Sequence, residues 1–426
     1  MASRLINFFT SQNLFSETQH GFLKGRSTDT ALFEFTNLIY EGLEDGGLTC
    51  GAMLDLSKAF DCLDHHILLN KLWNYGVRGN VHNWFVSYLK NRQQKVVIGC
   101  GDSGVESARS RVETGVPQGS LMGPILFVIY INSMPRECGL TKCINYADDI
   151  SFLLSLSNAA MLEGTISEHL QRVHDCLATN RLMLNIEKTH LMLFKPPNSN
   201  LITPDKISYN NLLDIQFNAN CKLLGIYLDQ HLNYKEHTDK ISLKLNKACY
   251  AIRVLSRHVS IEVVKTAYFG NVYPILKYGI IMWGSSNIHR VFVSQKKILR
   301  TMLKMKPQDS CRGHFKGNAL LTLQAIHIYE SLVYLFKNKH YFEKNKFSHT
   351  HNTRCGDKNL QVPIHRLSLT EKSPRYVMIK FFNALPNTLK RIHNVNLFKK
   401  KIFKILCDIE PYTSVEDFYK IKNVNV

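Results

Sequence analysis

The sequence predicts an α+β protein, and three observations carry that prediction. In the first half, short apolar runs flank acidic residues: Gly51-Ala52-Met53-Leu54 ends at Asp55, and Tyr146-Ala147-Asp148-Asp149 lies between Ile144 and Ile150, Phe152, Leu153 and Leu154. Runs this short, broken at acidic turns, read as strands. After residue 235 the spacing changes, and Ile241, Leu245, Ala248, Ile252 and Leu255 recur in steps of four and three. That is the period of a helix with one apolar face. Charge divides near the same line: residues 1–230 sum to −3 and residues 231–426 to +22, giving the net +19.

Taken in order, the run at 51–54 is a buried strand that delivers Asp55 to the rim of a cleft. Asp61 and Asp64 follow on an expected helix and read as caps or surface acids. Gly115-Val116-Pro117-Gln118-Gly119-Ser120 is a turn ahead of the apolar run Ile125 to Ile131. Glycine there permits close backbone approach, and the Gln118 amide both donates and accepts. The 144–154 segment is a hairpin with two acids at its tight turn, and adjacent carboxylates repel unless a cation lies between them. Asp148 and Asp149 therefore ask for a divalent metal, with Asp55 as the natural third acid. Oxygen-only ligands suit magnesium. Lys195-Pro196-Pro197-Asn198-Ser199-Asn200 is the clearest loop.

On the helix over 241–255, Lys240, Lys244 and Lys247 each stand one residue before an apolar position, about 100° round the axis. The same mixture recurs in Lys296-Lys297-Ile298-Leu299-Arg300 and Phe398-Lys399-Lys400-Lys401-Ile402-Phe403-Lys404. A polyanion lying along this half gains affinity by counterion release, so binding weakens steeply with salt.

The 426 residues are enough for two or three domains, and 45% hydrophobic with 20% charged residues is ordinary for a globular protein. No run approaches the 18 or so apolar residues of a membrane span, and the N-terminus lacks the pattern of a signal peptide. The eleven cysteines form no Cys-x-x-Cys pair and read as reduced thiols of an intracellular protein. Cys311 with His314, and His349 and His351 with Cys355, lack the paired spacing of a finger, so no zinc is expected. His65-His66 reads as surface.

Leu54-Asp55-Leu56-Ser57-Lys58-Ala59-Phe60-Asp61, then Gly115 to Pro124, then Tyr146-Ala147-Asp148-Asp149 resemble, in order, three successive motifs of reverse transcriptases. Gln19-His20-Gly21-Phe22-Leu23-Lys24-Gly25-Arg26-Ser27-Thr28 is similar to the fingers motif of the non-LTR retrotransposon branch, nearest in flavour to Jockey-like elements. Asn185-Ile186-Glu187-Lys188-Thr189 and Leu223-Leu224-Gly225-Ile226-Tyr227-Leu228 resemble the next two motifs. Six motifs in family order are far more specific than any one.

The resemblance implies a right-hand polymerase. Partial fingers and a ferredoxin-like palm would occupy 1–235, a helical thumb 236–310, and a basic, mainly helical region 311–426. It implies RNA-directed DNA synthesis: a DNA primer 3′-hydroxyl extended on an RNA template with deoxynucleoside triphosphates, using two Mg2+ ions or Mn2+ in their place. Asp55, Asp148, Asp149 and the carbonyl of Leu56 would hold the ions. Phe60 falls where the family places a ring under the incoming sugar, a clash with a ribose 2′-hydroxyl. Its competing reading is a core ring. Gln118 and Gly119 would lie beneath the nascent pair, and Lys188 would donate a proton to pyrophosphate or clamp a phosphate.

Two departures stand out. The family often places arginine after Gly-Phe, yet Leu23 is here, so triphosphate contact passes to Lys24 or Arg26. About twenty residues precede the fingers motif, so the expectation is an N-terminally truncated element with incomplete fingers and no nuclease. The alternative is an inactive remnant that keeps only nucleic-acid binding; the three intact aspartates favour the enzyme.

Overall fold

A computed structural model describes residues 1–99, 104–156, 161–196, 206–209, 213–343, 359–412 and 414–419. The chain forms two compact units, Met1–Phe35 with Gly47–Ala219, and Thr36–Gly46 with Asn220–Val426.

In the first unit the chain runs α1 (Ala2–Ser11), α2 (Thr28–Glu44, which ends in the second unit), β1 (Leu48–Leu56), α3 (His65–Asn74) and α4 (Gly79–Leu89). Four two-residue strands follow, β2 (Gln93–Gln94), β3 (Val97–Ile98), β4 (Val105–Glu106) and β5 (Ser110–Arg111). Then come α5 (Gly123–Ile131), α6 (Met134–Glu137), β6 (Cys143–Tyr146), β7 (Asp149–Leu156), α7 (Leu162–Thr179), β8 (Leu184–Phe194), β9 (Lys206–Tyr209) and β10 (Leu213–Gln216). The main sheet is antiparallel, in the order β6-β7-β1-β8.

β1 is buried along almost its whole length, which explains a continuous apolar run in place of alternation. Gly51 in its middle is tightly enclosed: a Cβ there would lie 3.0 Å from the Phe194 ring. α5 is buried all round, as a helix without a polar face must be. α7 buries Leu162, Ile166, Leu170, Val173 and Leu177, one stripe at helical spacing. Asp64 caps α3, its Oδ1 accepting from Ile67 N–H at 2.9 Å.

In the second unit β11 (Asn220–Leu223) and β12 (Ile226–Asp229) form a hairpin whose turn residues Leu224 and Gly225 both have positive φ. Then come α8 (Lys235–Leu255), α9 (Ile261–Ala267), α10 (Tyr273–Lys277), α11 (Ile280–Trp283) and α12 (His289–Met302). α8 buries Ile241, Leu245, Cys249 and Ile252, close to the predicted stripe. Helix Leu323–Lys337 is buried nearly all round, against α10, α11 and α12 on one side and helices Pro374–Ala384 and Val395–Ile409 on the other. Residues on both sides of position 310 therefore share one core. Among the described residues no cysteine forms a disulfide, and no helix is long and apolar enough to cross a membrane. Asn198 in the predicted loop, and His349, His351 and Cys355, lie outside the described residues.

Candidate active site

The acids meet because of strand register. β1 pairs with β7 so that Leu54 faces Ile150, and the β6–β7 hairpin sets Tyr146 opposite Asp149. Asp55 and Asp149, one step further along their strands, stand side by side at the same end of the sheet. Strands lie about 4.8 Å apart, so these carboxylates share one patch of space. Asp148 lies in the turn, after Ala147 in the left-handed region at φ +56°.

Burial raises the Asp149 carboxyl to about 6, and the charges of Asp148 and Asp55 add to it, although part of the side chain still meets solvent. Asp148 is raised too, by burial first and by Asp55, against a backbone hydrogen bond that opposes the shift. Lys188 comes from β8, on the other side of β1, with its Nζ 3.7 Å from Asp55 Oδ2. A register slip between Met53 and Asp55 accompanies this approach, and such bulges re-aim side chains. Lys188 is exposed and Asp55 half-buried, so the pair is screened by solvent and adds little to stability.

Among the described residues no group of three or more His, Cys, Asp or Glu side chains is arranged to hold a metal ion as it stands. The donor chemistry nonetheless fits a hard cation: the ligand atoms are carboxylate oxygens, and their mutual repulsion is what a divalent ion relieves.

The acid turn is braced from a distant segment. Gln19 is fully buried, and its Oε1 accepts from Gly21 N–H at 2.7 Å and from Ala147 N–H at 3.1 Å. His20 N–H donates to Asn145 O at 2.7 Å and Asn145 N–H to Thr18 O at 2.8 Å, a parallel bridge onto β6. Gly21 is packed so closely that a Cβ would lie 2.4 Å from Ala147 N. Beyond it, buried His20 lies 2.8 Å from Thr30 Oγ1 through Nδ1, and its Nε2 lies 3.1 Å from Glu34 and 3.3 Å from Arg26. Arg26 is thus turned towards His20, and Lys24 is exposed.

The loop carrying Gln118 is laced to the segment after Asp55. Gly115 N–H donates to Leu63 O at 2.7 Å and Val116 N–H to Phe60 O at 3.0 Å. Gly115, at φ +80°, leaves a Cβ only 2.8 Å from Asp61 O. Gln118 Nε2 donates to Asp61 Oδ1 at 2.9 Å. The half-buried Phe60 ring packs on Phe127 at 4.5 Å between centroids.

Asp61 and Asp64 are the surface acid and the cap expected of them, and the expectation for His65 changes. Asp61 is an exposed acid that anchors Gln118, while Asp64 alone of the pair caps a helix. His65 is a half-buried group whose Nε2 lies 2.7 Å from Gly115 O, where an N–H donates to that carbonyl. These bonds span 50 and 57 residues, and Gln19 to Ala147 spans 128, so no local pattern announces them.

Residues 1–228 match the family model described as reverse transcriptase (RNA-dependent DNA polymerase). The chain belongs to that family. Within it, the likeness is to enzymes of Jockey-type non-LTR elements. The chain is 25% identical over 339 residues to the probable RNA-directed DNA polymerase from transposon BS of Drosophila melanogaster, covering 75% of this chain and 35% of that protein. It is 26% identical over 296 residues to the RNA-directed DNA polymerase from mobile element jockey of the same species, covering 66% and 31%. The chain thus spans about a third of the length of these curated relatives. Among solved structures, apo telomerase from Candida tropicalis overlaps 71% of this chain and 49% of that chain at 12% identity, with a TM-score of 0.42.

Proposed function

We propose that this chain is an RNA-directed DNA polymerase of a non-LTR retrotransposon, extending a primer 3′-hydroxyl by nucleotidyl transfer. The observation that carries the proposal is the convergence of Asp55 and Asp149 on adjacent strand ends, with Asp148 in the turn and Lys188 beside Asp55. Three acids gathered at one end of the sheet serve no packing purpose, and their repulsion costs stability unless something cationic binds. The family supports the same reading.

In this proposal Asp55, Asp148, Asp149 and the Leu56 carbonyl hold two divalent ions, magnesium first, with manganese as substitute. Bound there, such ions lower the pKa of the attacking hydroxyl and neutralise the triphosphate and departing pyrophosphate. The chain's own groups do the rest. Lys188 is the cation best placed to stabilise charge on pyrophosphate or to protonate it. Gln118, held by Asp61, and Gly119 lie under the template-paired nucleotide, and Phe60 bars a 2′-hydroxyl. Lys24, which is exposed, or Arg26, once released from His20, takes the triphosphate tail. Thumb and C-terminal roles for 236–310 and 311–426, gripping RNA template and DNA primer, belong to the same proposal. Their support is the charge of +22 after residue 230. The helix α8–α12 face adds Arg253, Arg257, Lys297, Arg300 and Lys304 around one groove of about 800 Å³.

The test is extension of a labelled DNA primer on an RNA template with Mg2+. Extension by the parent chain, lost in Asp149→Asn and reduced in Lys188→Ala, is the expected result. RNA binding without any extension, across a range of Mg2+ and Mn2+, would overturn the proposal.

A further inference from the structure

Helix α4 carries a column of rings outside the site described above. Phe85 and Leu89 are its buried residues. Trp84 and Tyr88 fall about 100° and 60° to one side of Phe85. Their rings stack, with centroids 5.2 Å apart and planes within 11°. Arg92, just past the helix, places its guanidinium 5.8 Å from the Tyr88 ring. Trp84 heads the column and is 38% exposed. On the other side of α4, Trp73 is 47% exposed beneath the Arg78 guanidinium, 4.1 Å away. The third tryptophan, Trp283, is wholly buried.

Charge says what such a face attracts. Residues 65–99 contain Lys71, Arg78, Lys90, Arg92 and Lys95 and neither Asp nor Glu, inside a half-chain that sums to −3. Lys71 turns inward to the Tyr130 carbonyl and Lys95 pairs with Glu106. Arg92 remains beside Tyr88 and Arg78 over Trp73, and Lys90 is exposed. Trp, Tyr and Arg also recur at protein interfaces, but there lysine is depleted; a run with five cations, three of them lysine, and no acid around exposed rings suits a polyanion that has flat faces of its own. Unpaired bases have such faces and phosphates; a duplex keeps its base faces hidden. The column also leads somewhere: Arg92 O accepts from Val112 N–H at 2.9 Å, three residues before Gly115.

We propose that the Trp84–Tyr88–Arg92 column is a stacking site for single-stranded nucleic acid, with a base on the free face of Trp84 and phosphates on Arg92 and its neighbouring cations. Binding there requires neither nucleotide, metal nor catalysis, so the site stands apart from the polymerase proposal.

The test uses the full chain carrying Trp73→Phe and Asp149→Asn in a chelator, which leaves Trp84 as the exposed tryptophan. Titration with a short oligouridylate is expected to quench its emission saturably, and a duplex of the same length to do so far less. Trp84→Ala is expected to weaken binding of a labelled oligouridylate about tenfold or more, and Trp84→Phe to restore most of it. Unchanged affinity in Trp84→Ala, with the near-ultraviolet signal of buried Trp283 intact, would overturn the proposal. So would emission that changes with protein concentration alone while the mass doubles, the signature of self-association. Primer extension by Trp84→Ala with Asp149 intact separates the two proposals, because loss of the column leaves the three acids in place.

Discussion

Asp149 combines two properties that pull against each other. Its carboxyl titrates near 6 in the folded chain against 3.8 when free. An acid raised in this way favours folding while protonated, below about pH 4, and loses that contribution as pH climbs through about 6. Without metal the chain should therefore lose stability between pH 4 and 6. Asp149→Asn should raise Tm at pH 7.5 in a chelator, by about 2 °C at most because solvent screens the charges. Added Mg2+ should raise the Tm of the parent and not of the variant. A parent that melts at one temperature from pH 4 to 7.5 would contradict this. Phe60 offers a second residue-scale test, since its packing on Phe127 admits both the core and the gate reading. Phe60→Val should cost about 1–2 kcal/mol in urea unfolding and also raise ribonucleotide incorporation relative to deoxyribonucleotide. Destabilisation with unchanged sugar selectivity would leave only the core role.

At the scale of elements, the acid turn is braced by a segment more than a hundred residues away in sequence. Residues 18–21 hold β6 and the acid turn through Gln19 and the close approach of Gly21. Gly21→Ala forces a methyl against the Ala147 amide, and displacement of a reacting group by about 1 Å costs about a hundredfold in rate. Extension by Gly21→Ala should fall by that order; a rate within threefold of the parent would show that the turn holds itself. The same elements show how far the sequence was legible. Strand β1, the acid hairpin and α8 are announced by runs and periods that lie within one stretch of chain, so local reading found them. The bonds from Gln19 to Ala147, Asp61 to Gln118 and His65 to Gly115 are created by folding and carry no local signature. His65, whose partner is fifty residues away, therefore reads as a surface residue from sequence alone. Helix Leu323–Lys337 was likewise hidden, because an apolar run buried all round lacks the stripe that reveals an amphipathic helix.

For the whole molecule, the proposed hold on nucleic acid rests on the segregated charge. Lys240 is engaged with Glu236 at 2.6 Å and lies over the Tyr227 ring at 3.5 Å, whereas Lys244 and Lys247 are exposed. The double change Lys244→Glu and Lys247→Glu should weaken RNA binding uniformly across sequences and reduce the slope of log K against log salt by about 2. An unaltered slope would place the phosphate contacts elsewhere.

The main sheet also has a feature whose effect is felt only when many copies meet. Its two outer strands, β6 and β8, are each partly covered at one isolated parallel bridge, Gln19 with Asn145 and Leu191 with Phe217. Open outer strands recruit one another, and unpaired backbone at a sheet margin is the usual starting point for aggregation. The segment that steadies the acid turn is therefore also a guard against self-templating. Loosening residues 16–21 should cost solubility and catalysis together, so a variant that aggregates on expression and a variant that fails to extend a primer share one physical cause.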